Sequence, residues 1–321
     1  MLEPYCESFS EEWDDVVRNS RNGTFILQRP YMDYHSDRFE DESIIVKNAN
    51  GKIVALMAAA VPRTGKRSEV TAHPGLTYGG LILPPATIAT EVMPIMSEIA
   101  AYYRDRGFAS LRYRAIPHIY HRYPCEEDIY ALIQMGARVD ECLLSSTYTT
   151  STDCAPAKKR DTRQNISKAG RSGLTYRLCD SDEDWETFFS ILSDTLECRH
   201  NAHPVHTLPE LRMLAGRFPD NICLWMTYAG DGEALGGIVM YLTDTCAHTQ
   251  YTAATPRGFR TWALPGLINH LIEYYSPNYR YFDFGTSNED HGRILNEGLI
   301  RQKAGFGSRG TAAMTFLLDL K

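Results

Sequence analysis

The chain has no apolar run long enough to cross a bilayer. Its longest, Ile53–Val61, falls well short of the ~20 residues a membrane helix needs, so no membrane insertion is expected. The opening Met1–Glu7 has neither a basic nor an apolar targeting region. The 8 cysteines are scattered with no Cys-x-x-Cys pair, which argues against a metal ribbon. Reduced thiols in a cytoplasmic setting are the simplest account. There is no Gly-x-Ser-x-Gly elbow, and His73–Gly80 has glycines without the lysine of a phosphate loop. Nor is there an excess of positive charge. The net charge of −7 gives no global field to attract nucleic acid.

What is present is the composition of an ordinary globular protein: 321 residues, 43% hydrophobic and 23% charged. That length suits two domains of ~150 residues, and an internal repeat supports the division. Ser10-Glu-Glu-Trp13 and Ser181-Asp-Glu-Asp-Trp185 each read as a capped helix start with an acidic first turn. Tyr102-Tyr103 and Tyr274-Tyr275 close two later helices at the same offset, and Pro94 and Pro265 interrupt those helices. Such self-similarity predicts two copies of one unit, over about 1–150 and 155–321, joined by the Ser/Thr/Ala/Pro-rich stretch 151–159. Each copy reads as a β-meander followed by a β-α-β-α-β tail, an α/β unit with a mixed, mostly antiparallel sheet flanked by helices. In the second copy the spacing predicts strands 223–228, 235–242 and 249–254, then a helix over 258–275.

The richest stretch is Tyr279–Gly310. An aromatic strand ends at Gly285, and the polar loop Asn288-Glu289-Asp290-His291 follows. A helix over 294–303 is expected next, with Ile294, Leu295, Leu299 and Ile300 as its apolar stripe. Ligands in α/β sheets usually sit at such strand ends. The equivalent mouth of the first copy holds His118 and Tyr120, so the two mouths suggest one composite cleft. The segment 28–41, with Tyr31, Tyr34, His35 and Arg38, is dense in hydrogen-bonding groups and suits pocket lining. Tyr78 follows a glycine-bearing turn that lets backbone approach a ligand. His200, His203 and His206 recur every third residue, but Pro204 breaks the helix that would aim them at a metal. No metal is expected, and contact of His206 with substrate is. Between Lys158 and Arg177 seven basic residues face only Asp161, either a solvated helix face or a phosphate contact.

Tyr281-Phe-Asp-Phe-Gly285, followed by Asn296-Glu-Gly-Leu-x-x-x-Lys303-x-Gly-Phe-Gly307, resembles the C-terminal end of the FemAB-like branch of the GNAT acyltransferase superfamily. The resemblance implies tandem GNAT-like units and transfer of an acyl group to an amine without a covalent enzyme intermediate. The acceptor it implies is an amino sugar or another small-molecule or envelope precursor. Acetyl-coenzyme A or another acyl-coenzyme A is the expected donor. Aminoacyl-tRNA is the less favoured alternative, since the single basic run would meet only a few phosphates. A catalytically inactive binding module is the reading from a different class. The chemistry needs a base, for which Asp283, Glu289 and His291 are candidates, with Asn288 and Asn296 beside the substrate. GNAT enzymes hold the coenzyme pyrophosphate on a glycine-rich turn at a helix start. The equivalent turn here, Ala254–Thr261, keeps Arg257, Gly258 and Arg260 with altered spacing, and Lys303 joins them as a candidate donor contact.

Overall fold

The computed structural model describes residues 1–64, 67–150, 154–200 and 203–321, without the side chains of residues 199 and 200. The chain forms two compact units. The first comprises Met1–Leu143, Asp290–Gly292 and Ala312–Lys321, the second Leu144–Glu289 and Arg293–Thr311.

In chain order the first unit holds β1 (Leu2–Pro4), α1 (Ser10–Asn19), α2 (Arg29–Met32), β2 (Phe39–Asp41), β3 (Ile44–Lys47) and β4 (Ile53–Ala58). It continues through β5 (Ala60–Pro62), β6 (Glu69–Thr71), β7 (Gly80–Ile82), α3 (Ala89–Asp105), β8 (Ser110–Arg114) and α4 (Glu127–Gln134). One antiparallel sheet has the order β1-β3-β4-β7. The turn between β3 and β4 carries Gly51 at φ 78°, where the absence of a Cβ removes the strain. Strands β2, β5, β6 and β8 pair in that order, with β6 and β8 parallel. The core gathers Ile44, Met57, Met96, Tyr103, Leu111 and Phe316. Pro94 sits inside α3, and Trp13 of α1 is fully buried with its indole N–H on the Leu27 carbonyl at 2.8 Å. The N-cap of α1 is Phe9, one residue before the serine that the sequence suggests, and its side chain makes no cap hydrogen bond.

β9 (Arg138–Thr149) leads into the second unit. There follow α5 (Arg160–Arg171), β10 (Thr175–Cys179), α6 (Asp182–His200), α7 (Leu208–Arg217), β11 (Ile222–Tyr228), β12 (Ala234–Leu242) and β13 (Cys246–Ala254). Then come α8 (Pro256–Arg260), α9 (Ala263–Tyr275), β14 (Tyr281–Thr286), β15 (Asn288–Glu289), β16 (Ile294–Leu295), α10 (Glu297–Gly305) and β17 (Arg309–Asp319). β17 also pairs antiparallel with β8, through Thr315–Asp319. The sheet of the second unit has the order β10-β11-β12-β13-β14-β9. All neighbours in it are antiparallel except β13 and β14. Its core joins Trp225, Ile238, Leu267, Leu271, Phe282 and Phe306. Trp185 of α6 is buried in the second unit as Trp13 is in the first, and Pro265 lies inside α9 as Pro94 lies inside α3.

Two expectations need correction. The helix expected over 258–275 is two helices, because Trp262 takes a left-handed φ of 57° and closes α8 before α9 begins. The helix expected from residue 294 begins at Glu297. Ile294 and Leu295 form a strand instead and are exposed, so they are not part of a buried helical stripe. Asn296 is the reason: its side-chain oxygen accepts from the Leu299 amide at 3.0 Å and caps the helix there. The basic run becomes α5, which packs Thr162, Ile166 and Ala169 inward and leaves Lys159, Arg160, Arg163 and Arg171 exposed.

Candidate active site

In the second unit β13 and β14 run parallel and pair at three positions, Cys246 with Tyr281, Ala247 with Phe282 and His248 with Asp283. Beyond that point β13 continues to Ala254, while β14 bulges against β9 between Asp283 and Thr286. Gly285 allows the bend at φ 73°. The strands therefore fork, and His248 and Asp283 stand at the apex.

The apex is a polar network inside an apolar sheet. Asp283 is 1% exposed. Its Oδ1 accepts from Ser145 Oγ at 2.5 Å and from Thr147 Oγ1 at 3.0 Å. Thr147 is also 2.9 Å from Thr311 Oγ1. The other carboxylate oxygen lies 2.8 Å from His248 Nδ1. Burial alone would raise the pKa of Asp283, but hydrogen bonding and charge from His248, with the two hydroxyls, outweigh it and hold the carboxyl below the usual range. An ionised carboxylate only accepts, so Nδ1 is the protonated nitrogen. In the neutral imidazole the lone pair is then on Nε2. The His248 side chain retains 14% exposure, enough to meet a small reactant.

Lys303 reaches the same bend from α10. It is buried, and its Nζ donates to the carbonyls of Gly285 at 2.9 Å and Thr286 at 2.8 Å, at the bulge of β14. Burial lowers its pKa to about 8, partly opposed by the charge of Asp283.

The loop after β14 serves its own hairpin. Asn288 Oδ1 accepts from the Leu144 amide at 2.7 Å, and Asn296 Nδ2 donates to Glu289 Oε1 at 2.8 Å. Glu289 is exposed, and His291 is 88% exposed with Nδ1 3.6 Å from Glu141. Asp290, His291 and Gly292 all have left-handed φ, which turns the chain tightly between β15 and β16.

At the turn after β13 the expected donor contacts are largely committed within the protein. Pro256 has no N–H, and the Gly258 amide donates to the Thr255 hydroxyl at 3.0 Å. Gly258 packs so closely that a Cβ would stand 2.1 Å from the Leu235 carbonyl oxygen. Arg257 pairs with Asp231 at 2.8 Å and with Glu233. Arg260 is exposed, with no ion pair among the described residues. His206 is buried against β13, its Nδ1 2.7 Å from the Tyr251 hydroxyl. His203 is exposed, and the side chain of His200 lies outside the described residues.

In the first unit four of the expected residues do come together. Tyr31 and Tyr34 meet edge to face at 5.7 Å, Tyr34 and His35 approach to 3.6 Å, and the Arg38 guanidinium lies 5.6 Å from the Tyr34 ring. Tyr31 and His35 are buried and Tyr34 is half-buried. His73 joins His35 at 5.8 Å, and burial lowers its pKa to about 3, so it is neutral at physiological pH. Tyr78 and Tyr120 stack at 4.7 Å, with the Tyr78 hydroxyl 3.0 Å from Thr24 Oγ1, and His118 is exposed.

Sequence reasoning missed His248, Ser145, Thr147 and Thr311. The strand expected from Thr249 begins at Cys246, which brings His248 inside it. A forked parallel pair with helices behind it defines a GNAT-like, FemAB-like fold.

Comparisons with known proteins agree with this fold. Residues 157–293 match the family model described as Acetyltransferase (GNAT) domain. The chain is similar in structure to FemX (TM-score 0.72, 10% identity, 99% of this chain and 97% of that one). It is also similar to L-PGS from Bacillus licheniformis (0.62, 12%, 99% and 93%). A third is a tandem GNAT protein from the clavulanic acid biosynthesis pathway (0.54, 13%, 100% and 99%). No curated protein sequence matches the chain significantly.

Proposed function

We propose that the second unit is an N-acyltransferase whose reaction takes place at the fork of β13 and β14. The observation that carries this reading is the hydrogen bond between His248 and the buried, ionised Asp283. As the acceptor nitrogen attacks the donor's acyl carbon, Nε2 of His248 takes the proton that the amine must lose. Asp283 fixes the tautomer and stabilises the imidazolium that forms. Ser145 and Thr147 fix the carboxylate in turn, and Lys303 holds the bend of β14 through two carbonyls. An inactive module would gain nothing from burying an ionised carboxylate, which costs several kcal/mol of desolvation.

The donor in this reading is an acyl-coenzyme A, and the acceptor a primary amine on an amino sugar or envelope precursor, as the family resemblance implies. One observation favours aminoacyl-tRNA as the second reading. The turn at Thr255–Arg260 spends its donors on itself, through the Thr255–Gly258 bond and the Arg257 ion pairs. The phosphates of either donor would then fall to exposed basic residues such as Arg160, Arg163 and Arg171 of α5. Thermal stabilisation by acetyl-coenzyme A, set against gel-shift binding of bulk tRNA at physiological salt, separates the two. Stabilisation by the coenzyme without a tRNA shift supports the first donor; a tRNA shift without any acyl-coenzyme A response replaces it. Silence on both counts against acyl transfer itself.

A further inference from the structure

β13 carries an extra residue just past the apex of the fork. Against β12, His248 pairs with Tyr241, Thr249 with Met240 and Tyr251 with Val239, so Gln250 has no partner. Val239 and Tyr241 are two apart on their strand and face the same way. Their partners therefore share a face as well. The bulge brings Tyr251 onto the face of His248, where unbroken alternation would turn it to the other side. Two steps of ~3.3 Å put the two residues about 7 Å apart along the strand. α6 covers the same face, since a Cβ on Gly237 would meet the Phe188 ring at 3.0 Å.

The segment after α6 comes down on Tyr251. His206 is buried, its Nδ1 lies 2.7 Å from the Tyr251 hydroxyl, and the two rings meet edge to face. Burial raises the pKa of Tyr251, opposed by hydrogen bonds from the backbone of His206 and Val205 and from the Gln250 side chain. The phenol thus keeps its proton, and an oxygen that accepts from those groups donates that proton to Nδ1. One residue on, Thr207 caps α7: its hydroxyl accepts from the Glu210 amide at 3.4 Å, and Glu210 Oε2 accepts from the Thr207 amide at 2.7 Å. Segment 205–207 is tied to the sheet at one end and to α7 at the other. Next along that face stands His248, whose side chain is 14% exposed.

We propose that Tyr251 is a positioning residue of the transfer site: by holding His206 it fixes segment 205–207 as the wall against which the acceptor amine is brought to Nε2 of His248. This role presupposes acyl transfer at the fork.

The test is steady-state transfer to glucosamine and to tert-butylamine by the full chain, with whichever of acyl-coenzyme A or aminoacyl-tRNA the protein binds. Tyr251→Phe keeps the ring and removes only the hydroxyl. Its KM for glucosamine should rise roughly tenfold or more, with donor affinity and the pH profile of kcat unchanged. The preference for glucosamine over tert-butylamine should fall by about the same factor. His206→Ala should reproduce both effects, and the double variant should be no worse than either single one. His206→Gln, whose amide oxygen can accept from the phenol, should restore most of the native KM, which a general loss of packing would not allow. An unchanged KM in Tyr251→Phe, additive effects in the double variant, or no recovery in His206→Gln would each overturn the role of Tyr251. A native chain that acylates neither amine would overturn the transfer reading and this role with it. Transfer that His248→Ala abolishes and Tyr251→Phe leaves intact would remove the role of Tyr251 alone.

Discussion

Replacing Asp283 by Asn separates the role of the carboxylate's charge from the role of its shape. The amide oxygen can still accept from Ser145 and Thr147, so that half of the network survives. The other half must invert. The amide nitrogen would face His248 Nδ1 as a donor, and the two can bond only if the ring gives up its Nδ1 proton. The proton moves to Nε2, the lone pair turns away from the fork, and the base is lost with little loss of packing. A positioned general base contributes ~10²–10⁴-fold to rate, so acyl transfer should fall by about that factor. The amide keeps most hydrogen bonds, and stability should fall by about 1–2 kcal/mol. Asp283→Ala, which strands the imidazole and both hydroxyls, should lose about 3–5 kcal/mol. Urea unfolding of the three proteins measures the stabilities. The ¹⁵N shifts of the histidine ring, assigned through a His248→Gln variant, report the tautomer without any substrate. The reasoning is refuted if Asp283→Asn leaves the Nδ1–H tautomer in place, or if it destabilises as much as Asp283→Ala.

Two buried groups should bend the pH–stability curve in opposite senses. His73 stays neutral when folded, with a pKa of about 3 against 6.5 for the free side chain, so the unfolded chain binds the extra proton and stability falls as pH drops below about 6.5. At pH 5 that loss is about 2 kcal/mol, and His73→Asn, which suits the left-handed φ of 42° there, should remove it in urea titrations. Burial raises Asp128 to about 6, partly opposed by its hydrogen bond from Tyr113. Its contribution is full below the ordinary 3.8 and is lost as pH rises through about 6, a change of about 3 kcal/mol. Asp128→Asn should therefore gain stability relative to the native chain at pH 8 compared with pH 4, and an unchanged difference would count against it. Gly258→Ala should cost about 3 kcal/mol, since its Cβ would meet the Leu235 carbonyl oxygen; a melting temperature unchanged within error would show that the turn yields.

The fold was largely legible because its signals are local or periodic. Trp13 and Trp185, Pro94 and Pro265, and the paired tyrosines mark equivalent helices, and the resemblance at Tyr281–Gly307 points to the superfamily. The apex was half legible. Asp283 and Lys303 lie within the recognisable stretch, while the partners of Asp283 come from β9 and β13, up to 138 residues away in sequence. A histidine at the third position of a threonine-rich strand carries no sign that a carboxylate 35 residues later will bury against it. Asn288, Glu289 and Asn296 drew attention as polar residues at a strand end, yet they bracket a hairpin and cap a helix. Polar side chains at a strand's end are what either task requires, and spacing alone does not separate them.

The central claim is that His248 is the base for acyl transfer at the fork. Its most direct test is single-turnover transfer to a panel of primary amines, followed by mass spectrometry across pH. The donor is whichever of acyl-coenzyme A or aminoacyl-tRNA the protein binds, and native chain and His248→Ala are compared at donor saturation. The account predicts equal donor affinity and a rate at least ~10²-fold lower for His248→Ala, with the native acid limb missing from its pH profile. Equal rates with the same pH profile would contradict it.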